Sequence, residues 1–238
     1  MSSLVAIPEV IVELDGGRLD PGAMAGLAHV RVQQRLSAPA QCELTFDLPA
    51  DVDVAAPGAE LRLGIAGRDT PLFSGQLTAV EHVFGPDRGY QLHVRAYDPL
   101  HRLRKSQRAR ALAQTTVESL AGELMSELGL SVQAAASGPL WQNLVQHRES
   151  DLELLVVAAE RCGLYPVVRE DVLHLLTLEG TGDAIELTLG EHLLEAHVEL
   201  NGDRSCRSVT AAGWNTLTNL VPPYRLAGFP SAGSRRRE

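Results

Sequence analysis

Aromatic residues make up only 4% of this chain, so its core must rest on Leu, Val, Ile and Ala. Cysteine is equally scarce. Cys42, Cys162 and Cys206 are odd in number and show no Cys-x-x-Cys spacing. That argues against a disulfide framework or a zinc site, and the three read as small packing residues. No apolar run approaches the roughly 18 residues that a membrane helix needs. The segment Met1 to Ile7 lacks the basic flank and long apolar stretch of a secretory signal. Synthesis and folding in the cytoplasm, without membrane insertion by this chain, are therefore expected. Positive charge is also short. Lys and Arg number 21 against 30 Asp and Glu, a net charge of −9, which argues against a general nucleic-acid binder.

Catalytic signatures are missing too. There is no Gly-x-Ser-x-Gly elbow, no Walker loop and no Gly-x-Gly-x-x-Gly turn. His192 and His197 do not have the His-Glu-x-x-His spacing of a zinc protease. His82 and His93 could meet across a hairpin, but they read as solvent-facing strand residues. Asp and Glu are abundant, yet nothing singles out the carboxylate pair of a glycoside hydrolase. No catalytic residue, metal ligand or cofactor is assigned.

What is present begins with strands. Glu9 to Leu14 is an apolar run ended by the turn signal Asp15-Gly16-Gly17. Period-two alternation recurs in Val30, Val32 and Leu36, in Leu44, Phe46 and Leu48, in Leu61, Leu63 and Ile65, and in Leu92, Val94 and Ala96. Such alternation marks half-buried antiparallel strands, and their spacing suggests a barrel or sandwich. Pro49, Pro57, Pro71 and Pro86 sit between the runs, where a missing N–H does no harm.

The period changes at Thr115-Thr116-Val117-Glu118, which reads as a capping box with Thr115 at its head. Val117, Leu120, Ala121, Leu124 and Leu128 then share one helical stripe, stopped by Gly129. Ser150-Asp151-Leu152-Glu153 is a second capping box. The helix behind it carries Leu152, Leu155, Val156 and Ala159 and stops at Gly163. Leu164 to Arg169 and Val172 to Leu178 read as a hairpin around Glu170-Asp171.

Period two returns in Ile185, Leu187 and Leu189, in Ala196, Val198 and Leu200, and in Val209 and Ala211. An internal echo accompanies it. Residues 81–83 and 92–98 resemble residues 196–198 and 208–215: each ends a predicted hairpin on a small residue, an aromatic, and Asp98 or Asn215. The fold class expected is mainly β with an α+β insert, as two related β-barrels joined by a small α/β domain. The expected boundaries are an N-terminal barrel over residues 1–100, an insert of two helices and a hairpin over 101–180, a partial second barrel over 181–224 and a flexible tail over 225–238.

Two motifs carry a likeness. Tyr97-Asp98-Pro99-Leu100-His101-Arg102-Leu103-Arg104-Lys105 is a strand end, a turn and a helix start. Gln146-His147-Arg148-Glu149-Ser150-Asp151 is a polar approach to a second helix. In order, spacing and residue type they resemble the late control D family of phage tail hubs and the N-terminal hub region of VgrG-type spike proteins. The resemblance implies a non-enzymatic, structural baseplate hub, a homotrimer joining a six-fold inner tube to a three-fold spike. Its implied partners are an inner tube protein above, a spike or spike-tip protein below, and baseplate wedge proteins. Duplicated barrels suit that role, because three chains then present six near-equivalent faces. The chain lacks an oligosaccharide-binding-like neck and β-helix repeats, so a self-contained spike is not expected. The implied destination is a phage tail, a secretion apparatus or a released particle. A tail-associated peptidoglycan hydrolase and a monomeric adaptor are the rival readings.

Candidate interface residues follow from charge and size. Arg102, Arg104, Lys105, Arg108 and Arg110 form a basic cluster in an acidic chain, without the interleaved aromatics that stack on bases. An exposed linker docking on an acidic neighbour and a plain solvated loop both account for it. Trp141 follows Gly138-Pro139-Leu140 in the predicted inter-helix loop, as a local core plug or a subunit anchor. The run Arg235-Arg236-Arg237 is expected to be disordered.

Overall fold

A computed structural model describes residues 9–47, 56–86, 89–179 and 182–199, and the backbone of 209–212 and 223–226. The chain divides into two compact units, Met1–Gly182 and Asp183–Glu238. It is mainly β with an α/β insert, as the sequence pattern implies.

The first unit opens with β1 (Val10–Leu14), β2 (Gly17–Arg18), a short helix α1 (Pro21–Ala25), β3 (Leu27–Gln33), β4 (Gln41–Asp47), β5 (Glu60–Ile65), β6 (Phe73–Gly85) and β7 (Gly89–Tyr97). The seven strands form one antiparallel sheet in the order β2-β1-β5-β6-β7-β4-β3, curled into a half-barrel. Alternation does what a pleated sheet requires. Cys42, Leu44 and Phe46 of β4 point inward with Leu92, Val94 and Ala96 of β7 and Leu61 and Leu63 of β5. The Cys42 thiol is pushed up to about 12 by burial and by the Glu43 carboxylate, so it is an inert packing group.

Two local features differ from the sequence pattern. Helix α1 interrupts the strands because Asp20 accepts a hydrogen bond from Ala23 N at 2.9 Å and Pro21 starts the turn. Strand β3 stops at Gln33, so Leu36 leaves the inward face and is exposed, next to Ser37 at φ 58°. His82 lies opposite Leu92 and His93 opposite Glu81, so the two histidines project from opposite faces of the hairpin.

A 3₁₀ helix (Pro99–Lys105) leads from β7 into β8 (Arg110–Thr115), α2 (Val117–Ser126), β9 (Ser131–Ala134), β10 (Trp141–Gln146), α3 (Asp151–Arg161), β11 (Tyr165–Arg169) and β12 (Val172–Leu176). Strands β8 and β10 pair antiparallel. β12 lies between β11, antiparallel, and β9, parallel. A second core gathers Leu120 and Leu124 of α2, Leu155 and Ala159 of α3, and Leu173 and Leu175 of β12. Pro166 sits in β11, an edge strand, where it interrupts no ladder on the outer side.

The caps correct the sequence reading once. Thr115 is the last residue of β8, paired with Trp141, so it cannot cap the helix. Thr116 caps α2 instead, accepting from Ser119 N at 3.2 Å, and Glu118 accepts from Gly138 N at 2.7 Å. The Ser150–Glu153 capping box is present as expected. Gly129 at φ 74° and Gly163 at φ 71° follow the two helices, and Glu170 at φ 54° turns the β11–β12 hairpin. Trp141 opens β10 rather than lying in a loop. β8, β9 and β10 were not legible as strands because their burial is only partial.

In the second unit, β13 (Val209–Ala212) pairs antiparallel with β14 (Pro223–Leu226). Two expectations change. Residues 185–189 and 196–199 form no strand, and Ile185, Leu187, Leu189 and Val198 are exposed. Strand β13 pairs with β14, not with residues 196–198, and β14 takes in Arg225 and Leu226 from the expected tail. Cys206, residues 213–215 and the arginine run 235–237 lie outside the described residues.

Two predictions follow from packing. A Cβ on Gly75 would run into the Tyr97 carbonyl and stand 2.7 Å from Phe73 Cζ. Gly75→Ala should therefore destabilise the first unit by about 1–3 kcal/mol. An unchanged urea midpoint would contradict the close approach of β6 to β7. Ser150→Ala should cost about 1 kcal/mol, and Leu155→Ala, fully buried, about 2–5 kcal/mol. Equal loss at both positions would show that Leu155 is not core.

Candidate functional site

The two motifs meet at the passage from the half-barrel to the insert, and each is occupied by internal bonds. Strand β7 ends at Tyr97 and Asp98 is buried. Its carboxylate accepts from Ala40 N at 2.8 Å and from Leu100 N at 3.0 Å. Its own N–H donates to the Ala40 carbonyl at 3.1 Å. One side chain thus holds the start of β4 and caps the 3₁₀ helix. Pro99, with φ preset, starts that helix. Leu100 and Leu103 drive into the second core, and buried His101 places Nδ1 2.7 Å from the Asp98 carbonyl oxygen.

Burial pushes the Asp98 carboxyl up to about 6, against the Ala40 and Leu100 hydrogen bonds and the Arg104 charge, which pull it down. Burial also lowers the His101 imidazole, and Lys105, Arg102 and Arg104 add to that, while the bond to the Asp98 carbonyl opposes it.

The second motif closes the other side. Asp151 N donates to the Ser106 carbonyl at 2.9 Å, and Gln107 bridges Ser150. Asp151 is fully buried. Its Oδ1 accepts from Gln146 Nε2 at 2.8 Å and from Arg110 at 3.2 Å. Arg110 also donates to Gln146 Oε1 at 2.7 Å and Glu123 Oε1 at 3.0 Å. Arg108 forks onto Glu127, with Nη1 at 2.6 Å from Oε1, and its Nε lies 3.8 Å from Asp151 Oδ2.

The basic cluster is therefore divided. Arg108 and Arg110 are satisfied within the chain. Arg102, Arg104 and Lys105 are exposed on the 3₁₀ helix and make no ion pair among the described residues; the Arg104 guanidinium stands 5.8 Å from the Tyr97 ring centroid. Trp141 is half-buried against the second core. The residues that sequence reading missed are Gln146 and Asp151 as a buried polar pair. The Gln-x-x-Glu-Ser-Asp run carried them, but only the fold brings Arg110 to them.

Removing Arg110 strands a buried carboxylate, so Arg110→Ala should cost about 3 kcal/mol. The Arg108–Glu127 pair is exposed and screened by solvent, so Arg108→Ala should cost far less than Arg110→Ala. Chemical denaturation of both variants checks the ranking, and equal losses would refute it. For Asp98, the folded carboxyl lies above its ordinary value of 3.8, so charging it opposes folding above pH about 6. That opposition is relieved as pH falls from about 6 toward 3.8. Wild type should gain on the order of 1–3 kcal/mol relative to Asp98→Asn between pH 7 and pH 4. Parallel stability–pH curves would contradict the raised carboxyl.

With this geometry in hand, comparison with solved structures locates the fold. The 43 kDa tail protein of prophage MuSo2 from Shewanella oneidensis superposes with a TM-score of 0.70 at 15% identity, over 92% of this chain and 69% of that one. The tail protein from Neisseria meningitidis MC58 gives 0.63 at 16% identity, over 84% and 63%. An E. coli component of the type VI secretion system, described as similar in structure to T4 bacteriophage tail proteins gp27 and gp5, gives 0.55 at 12% identity, over 90% and 55%. The chain thus spans less than two thirds of the latter two. No curated protein matches it in sequence. The late control D likeness rests on the motifs; what these solved structures share with the chain is the fold. The Alg8 N-terminal domain family matches residues 42–222, so the chain belongs to the Alg8 N-terminal domain family.

Proposed function

We propose that this chain is a structural hub of a contractile tail or injection system, a trimer that joins a six-fold inner tube to a three-fold spike. The observation that carries the reading is the fold itself, shared over 92% of the chain with a prophage tail protein and over 90% with a type VI secretion component. A second observation supports it. The motif residues Asp98, Ser150, Asp151 and Glu153 are engaged in hydrogen bonds that join or cap secondary structure. A joint of this kind transmits load rather than chemistry.

The half-barrel (residues 1–100) and the second β region (181–224) then occupy alternating places in one ring, held apart by the insert (101–180). The tube protein docks on one side, the spike or its tip on the other, and wedge proteins around the rim. The ring is assembled in the bacterial cytoplasm and leaves inside its particle. A symmetry match between three and six is the physical reason for two β regions in one chain.

Counting copies tests this. Native mass measurement or an electron-microscopy map of the particle should show three chains at one axial level. Six identical copies, or one chain alone, would overturn the trimer. Hydrolysis of peptidoglycan by the purified chain, abolished by changing one Asp or Glu, would overturn the structural assignment.

A further inference from the structure

Two surfaces of opposite sign stand out. On the first unit, Arg102 and Lys105 lie three residues apart on a 3₁₀ helix, so their side chains eclipse on one face, with Arg104 beside them. Their former companions Arg108 and Arg110 are neutralised by Glu127, Glu123 and Asp151, which leaves these three as the outward charge. Beside Arg104 runs a groove of about 520 Å³ between the 3₁₀ helix and α3. Leu152, Val156 and Val157 line it with Ser37, Gln107, Ser150 and Glu153, whose carboxylate is already taken by Ser150 N at 2.7 Å. Val157 is exposed there although it sits on a helix whose other apolar residues are largely covered.

The second unit carries the complement. Asp183, Glu186, Glu191 and Glu195 are all exposed, in a stretch from 183 to 199 that contains no Lys or Arg. Interleaved with them are Ile185, Leu187, Leu189 and Leu194, the last 98% exposed. In Ile185–Leu189 the apolar residues alternate with Glu186 and Thr188, so an extended backbone there would put them on one side and Glu186 on the other. Such a segment has apolar side chains to place in a groove and carboxylates to place on a basic rim.

We propose that the acidic segment 183–195 of one copy docks in the groove of a second copy, with Ile185, Leu187 and Leu189 against Leu152, Val156 and Val157 and the carboxylates on Arg102, Arg104 and Lys105. The contact joins two different surfaces, so it is head-to-tail, and a head-to-tail contact that closes makes a ring. The inference rests on the trimeric reading above and deepens it by naming the mating faces. Charges at such a contact set register and partner choice, and salt weakens them.

The test uses the full chain and charge reversal. Arg102→Glu, Arg104→Glu and Lys105→Glu together should weaken self-association by about tenfold or more, as should Glu186→Lys, Glu191→Lys and Glu195→Lys together. All six in one chain should restore it. Mixing the two triple variants should give hetero-dimers by native mass spectrometry, not closed trimers, because each supplies the face the other has lost but a three-membered ring cannot alternate two variants. Circular dichroism checks folding. Should one variant not fold, the wild type still reports, since its association must fall as salt rises. Wild-type association with both triple variants, or association indifferent to salt, overturns this inference and leaves the trimer standing. Restoration in the six-fold variant without hetero-dimers in the mixture means docking within one chain, and also overturns it. A wild type that stays monomeric at every concentration overturns the inference and the trimer together.

Discussion

The carboxylate of Asp98 is the constraint on which the first unit depends. It sits where the sheet ends and the insert begins, and it accepts hydrogen bonds from both sides. A buried carboxylate is expensive to charge, and here backbone N–H groups offset only part of that cost. Because those groups belong to Ala40 and Leu100, the half-barrel and the 3₁₀ helix are fixed in register by one side chain. Leu100 and Leu103, displaced by this turn onto one side, then enter the second core. The insert could pivot about a simple linker, but not about a linker whose leucines are part of its own interior.

Arg110 and Asp151 hold the far end of the same segment. Their pairing is of a different kind from the surface pair of Arg108 and Glu127, since Asp151 is fully buried and Arg110 nearly so. Buried ion pairs add little net stability compared with apolar packing, yet they penalise any arrangement that separates them. Segment 106–110 is therefore held in one path against the start of α3. For the hub role proposed above, a unique path between two cores would matter more than a large folding free energy.

The two motifs thus serve as stitching, which explains why sequence alone reads them as a fold signature and not as a reactive site. Asp98 and Ser150 have the local chemistry of helix caps, and caps act within three or four residues. Their local role was legible. Their long-range role was not, because Ala40 lies far from Asp98 in the chain and Arg110 far from Asp151. The basic cluster shows the same division. Five positive residues in a row of nine look like one surface. Folding gives two of them to buried or neighbouring acids and leaves three outside.

By itself the sequence determined β1, β3, β4, β5 and β7 of the first sheet but not the long β6, the two main helices with their glycine stops, the Ser150 capping box and the turn at Glu170. Each depends on period, caps or backbone conformation, all of which are local. Only the tertiary structure decided that Thr116 rather than Thr115 caps α2, since the pairing of Thr115 with Trp141 is a contact between distant residues. It also decided that residues 185–189 and 196–199 form no strand despite their alternation, because a strand needs an edge to pair with as well as a pattern. Alternation states which side of a strand wants to be buried; a neighbour, in this chain or another, has to supply the burial.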